Sequence, residues 1–311
     1  MRAGQISAGN ARDLADLIRN ARWQALEEWL EARLTAARER GCGRLLLSSE
    51  WLLGALALPG RLAGLETHSQ RCGVDVVDML LILRAPVDQL ISHYKHRAKS
   101  GQVSDIASWA EQHYLLPGRL AGLRSQLDQA EATLTVRAYS KQKGALATLF
   151  FQDWLGIALP PIDADPTVNP SLSLSELTLI RKLRGFDPGL VPHLYNSLLG
   201  VDASSKAEDS LRGNHARRVA GDIVARYSEE WAHWYARLPE AERFPAFEPT
   251  GAAAPAPDAF LFSETQMAAV TRLLADAATP GFILRKFWRA RLRPSLARIR
   301  RGFFGRSPAR W

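Results

Sequence analysis

The sequence predicts an α/β protein built on a parallel sheet, with helices on both faces and a helical C-terminal extension. Three observations carry that expectation. Short apolar runs recur at "RLLLSSE" (44–50), "VVDMLLILR" (76–84) and "ATLTVRAY" (132–139). Stretches with apolar residues at helical spacing separate them. Each run ends on polar residues: Ser48, Ser49 and Glu50, then Arg84, then Arg137 and Tyr139. Alternating strands and helices favour a parallel sheet, whose ligands bind beyond the carboxyl ends of the strands.

In chain order, Leu14, Leu17, Ile18 and Ala21 open a helical region over 11–40, continued by Leu26, Trp29, Leu30 and Leu34 and stopped by Gly41 and Gly43. After the first strand, Trp51–Leu58 reads as a short helix. Further helices are expected at 86–99, 104–115, 117–130 and 142–154. Pro86 suits a first helical turn, where its missing N–H costs nothing. Behind it Val87, Leu90, Ile91 and Tyr94 would bury, leaving Asp88, Ser92, Lys95 and Lys99 on the solvent face. A proline-rich loop occupies 159–170. Ser173 and Glu176 then have the spacing of a capping box that starts a helix at about 174–183. A long helix is expected over 206–237 and a last one over 263–277. The octapeptide "LPGRLAGL" occurs twice, at 58–65 and 116–123. With nothing matching around it, it reads as local chemistry and not as a solenoid period. The expected organisation is an α/β domain over 1–242, a Pro/Ala linker over 243–260, and a helix with a basic tail over 261–311.

Composition bounds the partners. The chain has 311 residues and a net charge of +8. Residues 281–311 hold nine arginines, one lysine and no acid, whereas residues 1–280 hold 30 basic residues against 32 acidic ones. The basic character belongs to the tail, so no specific nucleic-acid surface is expected on the body. The tail mixes aromatics with arginines and suits an anionic membrane surface, an acidic polymer or plain solvation. No window reaches the ~18 apolar residues of a membrane span. Cys42 and Cys72 give neither a disulfide framework nor metal spacing. A cytoplasmic protein without a metal, membrane-peripheral if the tail binds lipid, is the expectation.

Arg84 lies where the second strand leaves the sheet, and Ser92 lies eight residues on. An arginine fork and a hydroxyl can grip one phosphate between them. Equally, Arg84 can pair a carboxylate while Ser92 is merely solvated.

The segment "RAPVDQLISHY" (84–94) resembles the 3′-phosphate-binding segment of the sulfotransferase superfamily: an arginine ending a strand, proline at +2, serine at +8 and an aromatic two residues further. Arg84, Pro86, Ser92 and Tyr94 fill these places. "LLLSSE", "LTVRAYSKQKGALATLFFQDWLGI" (134–157) and "NPSLSLSELTLIRKL" (169–183) are similar to further segments of bacterial members, in the same order. The resemblance covers roughly residues 5–185 and implies a P-loop-type fold. It implies transfer of a sulfuryl group from 3′-phosphoadenosine 5′-phosphosulfate to a hydroxyl of a carbohydrate or lipid-linked glycan. Arg84 and Ser92 would then hold the 3′-phosphate, and Tyr139 would approach the adenine. Glu50, ending the neighbouring strand, becomes the candidate general base, or else simply a carboxylate that starts a helix. Ser48 and Ser49 would contact the acceptor or terminate the strand. His68, His93 and His96 are other candidate bases.

The family's Lys-x-Gly-Thr-Thr-like loop, which cradles the 5′-phosphosulfate, has no counterpart in this sequence, so the N-terminal strand and loop are expected to be missing from the sheet. "LRGNHARR" (211–218) is at best an echo of the family's Lys-Gly-x-x-Gly segment. Three explanations stand side by side: a start further upstream, a non-catalytic relative acting as a binding or scaffold protein, or a strand supplied by another chain.

Overall fold

The computed structural model describes residues 11–139, 145–158, 172–201, 210–244 and 261–277. The loop at 159–170, the tail at 281–311 and all but the first two residues of the linker at 243–260 lie outside the described residues. The chain divides into two compact units. The first comprises 1–88, 111–164 and 222–249, and the second 89–110, 165–221 and 250–311.

The first unit opens with helices α1 (Arg12–Arg19) and α2 (Trp23–Glu39). Leu14, Leu17 and Ile18 lie on one face of α1 and are buried, as are Leu26 and Leu30 of α2. The predicted helical region breaks at Ala21, which takes φ +50° and turns the chain between the two. Gly41, at φ +69°, stands just past the end of α2, a left-handed position that glycine fills without strain. Helices α3 (Leu52–Leu56) and α4 (Arg61–Arg71) follow and pack with α1 and α2.

Strands β1 (Asp78–Leu83) and β2 (Thr133–Ala138) pair in parallel, in register from Asp78 opposite Thr133 to Leu83 opposite Ala138. This is the α/β pairing that the alternation predicts, but among the described residues the sheet has two strands. The third expected strand, 44–50, is not a strand. Its backbone hydrogen bonds go elsewhere: Ser48 O accepts from Ala11 N at 3.2 Å, and Ser49 O from Leu52 N at 3.2 Å. The Ser49 hydroxyl accepts from Trp51 N at 3.2 Å. Two of its carbonyls are taken in this way at the start of α1 and in the turn into α3, and among the described residues no strand pairs with it. Two strands cover little of themselves. Only Leu83 and Val136 of the sheet residues are buried, and the rest of "DMLLIL" is half-buried or exposed. A parallel sheet ordinarily hides both faces.

Between the strands run α5 (Pro86–Ala98), α6 (Ile106–His113) and α7 (Leu116–Leu127). Val87, Leu90 and Tyr94 of α5 are buried as predicted; Ile91 is only half-buried. After β2, a short α8 (Ala145–Ala147) continues as one π-helical stretch, Thr148–Trp154. The expected long helix of 206–237 is two, α11 (Ser210–Ala225) and α12 (Ser228–Ala236), interrupted at Arg226 and Tyr227. "LRGNHARR" lies inside α11, as regular helix and not as a phosphate-binding loop. A single 3₁₀ turn, Glu240–Glu242, closes the described part of this unit.

The second unit holds most of α5, α6 and α11, together with α9 (Leu174–Phe186), α10 (Val191–Leu199) and α13 (Glu264–Ala277). The predicted capping box is present: Ser173 Oγ accepts from Glu176 N at 3.1 Å, and a Glu176 carboxylate oxygen accepts from Ser173 N at 2.6 Å. A second box starts α13, with Ser263 Oγ accepting from Gln266 N at 3.2 Å and Gln266 Oε1 accepting from Ser263 N at 2.9 Å. The boxes are joined by Gln266 Nε2, which donates to the other Glu176 oxygen at 2.8 Å. Glu176 and Gln266 are both fully buried, so the polar pair is satisfied where water is absent.

Candidate functional site

The register of the sheet brings together two residues that are 55 positions apart in sequence. Arg84 follows β1 directly and Tyr139 follows β2 directly. The ladder continues one step past Ala138, where Tyr139 N donates to Leu83 O at 2.6 Å. The Arg84 guanidinium then lies over the Tyr139 ring, 5.4 Å from its centroid. A ring face attracts the charge but is only a weak acceptor for an N–H donor. Among the described residues, Arg84 Nε is buried without a hydrogen-bond partner. A buried donor left unmade costs about 1–3 kcal/mol. An acceptor supplied from outside would remove that cost.

Ser92 stands on α5 and is half-buried, not on a fully wet face as the helical spacing predicts; Asp88, Lys95 and Lys99 are half-buried too. Arg84 belongs to the first unit and Ser92 to the second, joined by one continuous segment. Tyr94, the aromatic after the serine, is buried and donates through its hydroxyl to Ser104 O at 3.2 Å. Its place is structural.

Ser48 and Ser49 lie in the irregular segment outside the ladder and Glu50 in the turn that follows it, with Ser48 and Glu50 exposed and Ser49 half-buried. Next to Glu50, Trp51 is 42% exposed and has the guanidinium carbons of Arg12 and Arg19 each 5.5 Å from its ring centroid. These three residues, with Asp13, Ala15 and Asp16, line a cavity of about 370 Å³. The histidine candidates separate. His68 is stacked on Trp23 and bonded to Glu27, His93 packs edge-on against Trp109, and His96 is exposed. The bond from His68 holds the Glu27 carboxyl below its ordinary value.

A further constellation at the carboxyl end of β2 escapes sequence reading. Glu242 Oε1 accepts from Arg137 Nε at 2.6 Å and from Arg137 Nη2, while Oε2 accepts from Ala138 N at 2.8 Å. Asp153 also approaches Arg137, with its Oδ2 3.5 Å from Nη2. Burial alone would raise the Glu242 pKa. The bonds from Arg137 and Ala138, with the Arg137 charge, outweigh it and hold the carboxyl below its ordinary value. Arg137 sits at a strand end in the sequence, which flags it. Glu242 lies 105 residues away in a one-turn helix and carries no local signal.

Among the described residues no group of three or more metal-ligating side chains is assembled, and no helix is long and apolar enough to cross a membrane. No family model, no curated protein and no solved structure matches the chain.

Proposed function

We propose that the chain is a sulfotransferase-like nucleotide-binding protein of the P-loop class, taking 3′-phosphoadenosine 5′-phosphosulfate at the carboxyl ends of β1 and β2. The observation that carries this reading is Arg84: a guanidinium at a parallel strand end, laid on Tyr139, with a buried and unpartnered Nε. The segment pattern supports the same assignment. Arg84 holds the 3′-phosphate, with Ser92 added to the grip by the resemblance alone, and the exposed Tyr139 ring faces the adenine.

In the catalytic form of the proposal, a hydroxyl of a carbohydrate or lipid-linked glycan attacks sulfur. The sulfur–oxygen bond to the 5′-phosphate breaks, and adenosine 3′,5′-bisphosphate leaves with the bonding pair. The hydroxyl proton goes to Glu50, and Ser48 and Ser49 position the acceptor. Transfer of this kind depends on alignment and on charge stabilisation. A positioned base contributes about 10²–10⁴-fold. A second reading, a non-catalytic relative that binds the nucleotide as a scaffold, is favoured by the exposure of Glu50 in a segment outside the sheet. The basic residues of 281–311 are assigned to an anionic membrane surface, and vesicle binding that falls with salt and disappears on their deletion checks it.

The deciding experiment is calorimetric titration with adenosine 3′,5′-bisphosphate. Arg84→Ala is expected to weaken binding roughly 10- to 100-fold, the value of a charge-assisted hydrogen bond. Absence of wild-type binding at millimolar ligand overturns the nucleotide reading. Binding without sulfuryl transfer to any glycan acceptor, with Glu50→Gln unchanged, selects the scaffold.

A further inference from the structure

At the carboxyl end of β2, two nitrogens of one guanidinium and one backbone N–H converge on a single carboxylate. The backbone donor is available because alternate N–H groups of a strand point to opposite edges. Tyr139 N turns toward β1, and Ala138 N turns away from it to the open edge. Arg137 and Glu242 are each about one-fifth exposed, at 23% and 22%. The clasp is therefore largely desolvated yet reachable. A guanidinium and a backbone amide are the groups that proteins use to bind tetrahedral oxyanions. Here the oxyanion is the chain's own, delivered by the single turn Glu240–Glu242 after α12.

We propose that Arg137 and the Ala138 amide form an oxyanion-binding site that Glu242 keeps closed. The ligand class is a phosphate or sulfate, free or esterified, which replaces both Glu242 oxygens with two of its own. Asp153 weakens but does not abolish the attraction, because it is 43% exposed and touches only one guanidinium nitrogen at 3.5 Å. A tethered carboxylate competes at an effective concentration in the millimolar range. Wild-type affinity is then reduced by the fraction of molecules in which the clasp is open. The inference stands apart from the assignment of Arg84 to a nucleotide.

The test is titration of the full chain with inorganic phosphate, inorganic sulfate and adenosine 3′,5′-bisphosphate at fixed ionic strength. Glu242→Gln, which keeps the shape and removes the competing charge, is expected to bind inorganic phosphate at least tenfold tighter than wild type. Adding Arg137→Gln should abolish the gain, and adding Arg84→Ala should leave it intact. A larger gain for the bisphosphate than for inorganic phosphate marks an ester as the ligand; equal gains mark the free ion. If Glu242→Gln fails to fold, Glu242→Asp replaces it. Its carboxylate, one methylene short, cannot reach both partners, and a gain of at least threefold is expected. No gain in the folded variant, a gain that survives Arg137→Gln, or a gain lost with Arg84→Ala overturns the proposal. The last outcome would place the anion at Arg84.

Discussion

The second glycine of each octapeptide copy shows how a single missing methyl decides packing. A Cβ on Gly64 would lie 2.4 Å from the Trp23 ring, and one on Gly122 would lie 2.5 Å from the carbonyl oxygen of Ala57. The leucines around them, Leu62, Leu65, Leu120 and Leu123, are all buried. Both copies therefore do the same job, a close helix approach over a leucine pair, although the first glycine of each behaves differently. Gly60 takes φ +70° just before α4, whereas Gly118 lies inside α7 with open space around it. Gly64→Ala and Gly122→Ala should each lower stability by about 1–3 kcal/mol, overpacking outweighing the helical gain. Gly118→Ala should raise it by up to about 1 kcal/mol. Urea unfolding of the three variants checks both signs. The repeat is visible in sequence, but its meaning is not: Trp23 lies 41 positions from Gly64 and Ala57 lies 65 positions from Gly122, so the clash exists only after folding.

At the scale of elements, local signals were the legible ones. Pro86 opens α5, Ser173 and Glu176 make their box, and β1 and β2 lie where apolar runs place them. "RLLLSSE" misleads because an apolar run records burial propensity, whereas a strand also needs a hydrogen-bonding edge. The pairing of Arg84 with Tyr139 follows from strand ends alone, once the strands are taken as adjacent. The clasp on Glu242 does not, since no pattern links positions 137 and 242. The coupled boxes of α9 and α13 carry a prediction at this scale. Ser173→Ala should cost about 1 kcal/mol, the usual value of a cap. Gln266→Ala should cost more, about 1–3 kcal/mol, because it leaves one oxygen of the fully buried Glu176 without its Gln266 donor. Thermal unfolding of the two variants should rank them in that order.

For the whole molecule, titration sets a window of stability. Burial and the nearby arginines lower the His233 pKa, and Glu27 and Glu242 are also lowered. For each, the unfolded chain binds more protons within the shifted interval, so stability falls as pH drops. The His233 contribution is complete above 6.5 and declines below it, and the carboxylates follow below 4.5. At the other end, burial pushes the Tyr235 phenol up to about 12, a contribution that is present below pH 10 and lost above it. Melting temperatures should therefore fall in two stages from pH 7 to 3.5. His233→Gln should flatten the upper stage, and Glu242→Gln should shrink the lower one, to which Glu27 also contributes. The joined boxes of the second unit also govern where the chain can safely be shortened. A protein ending at 280 loses the arginine-rich stretch but keeps Gln266 against Glu176. One ending at 260 removes that amide and leaves one oxygen of the buried Glu176 without its Gln266 donor. Loss of vesicle binding in the first would report on charge; in the second it would report on a damaged fold.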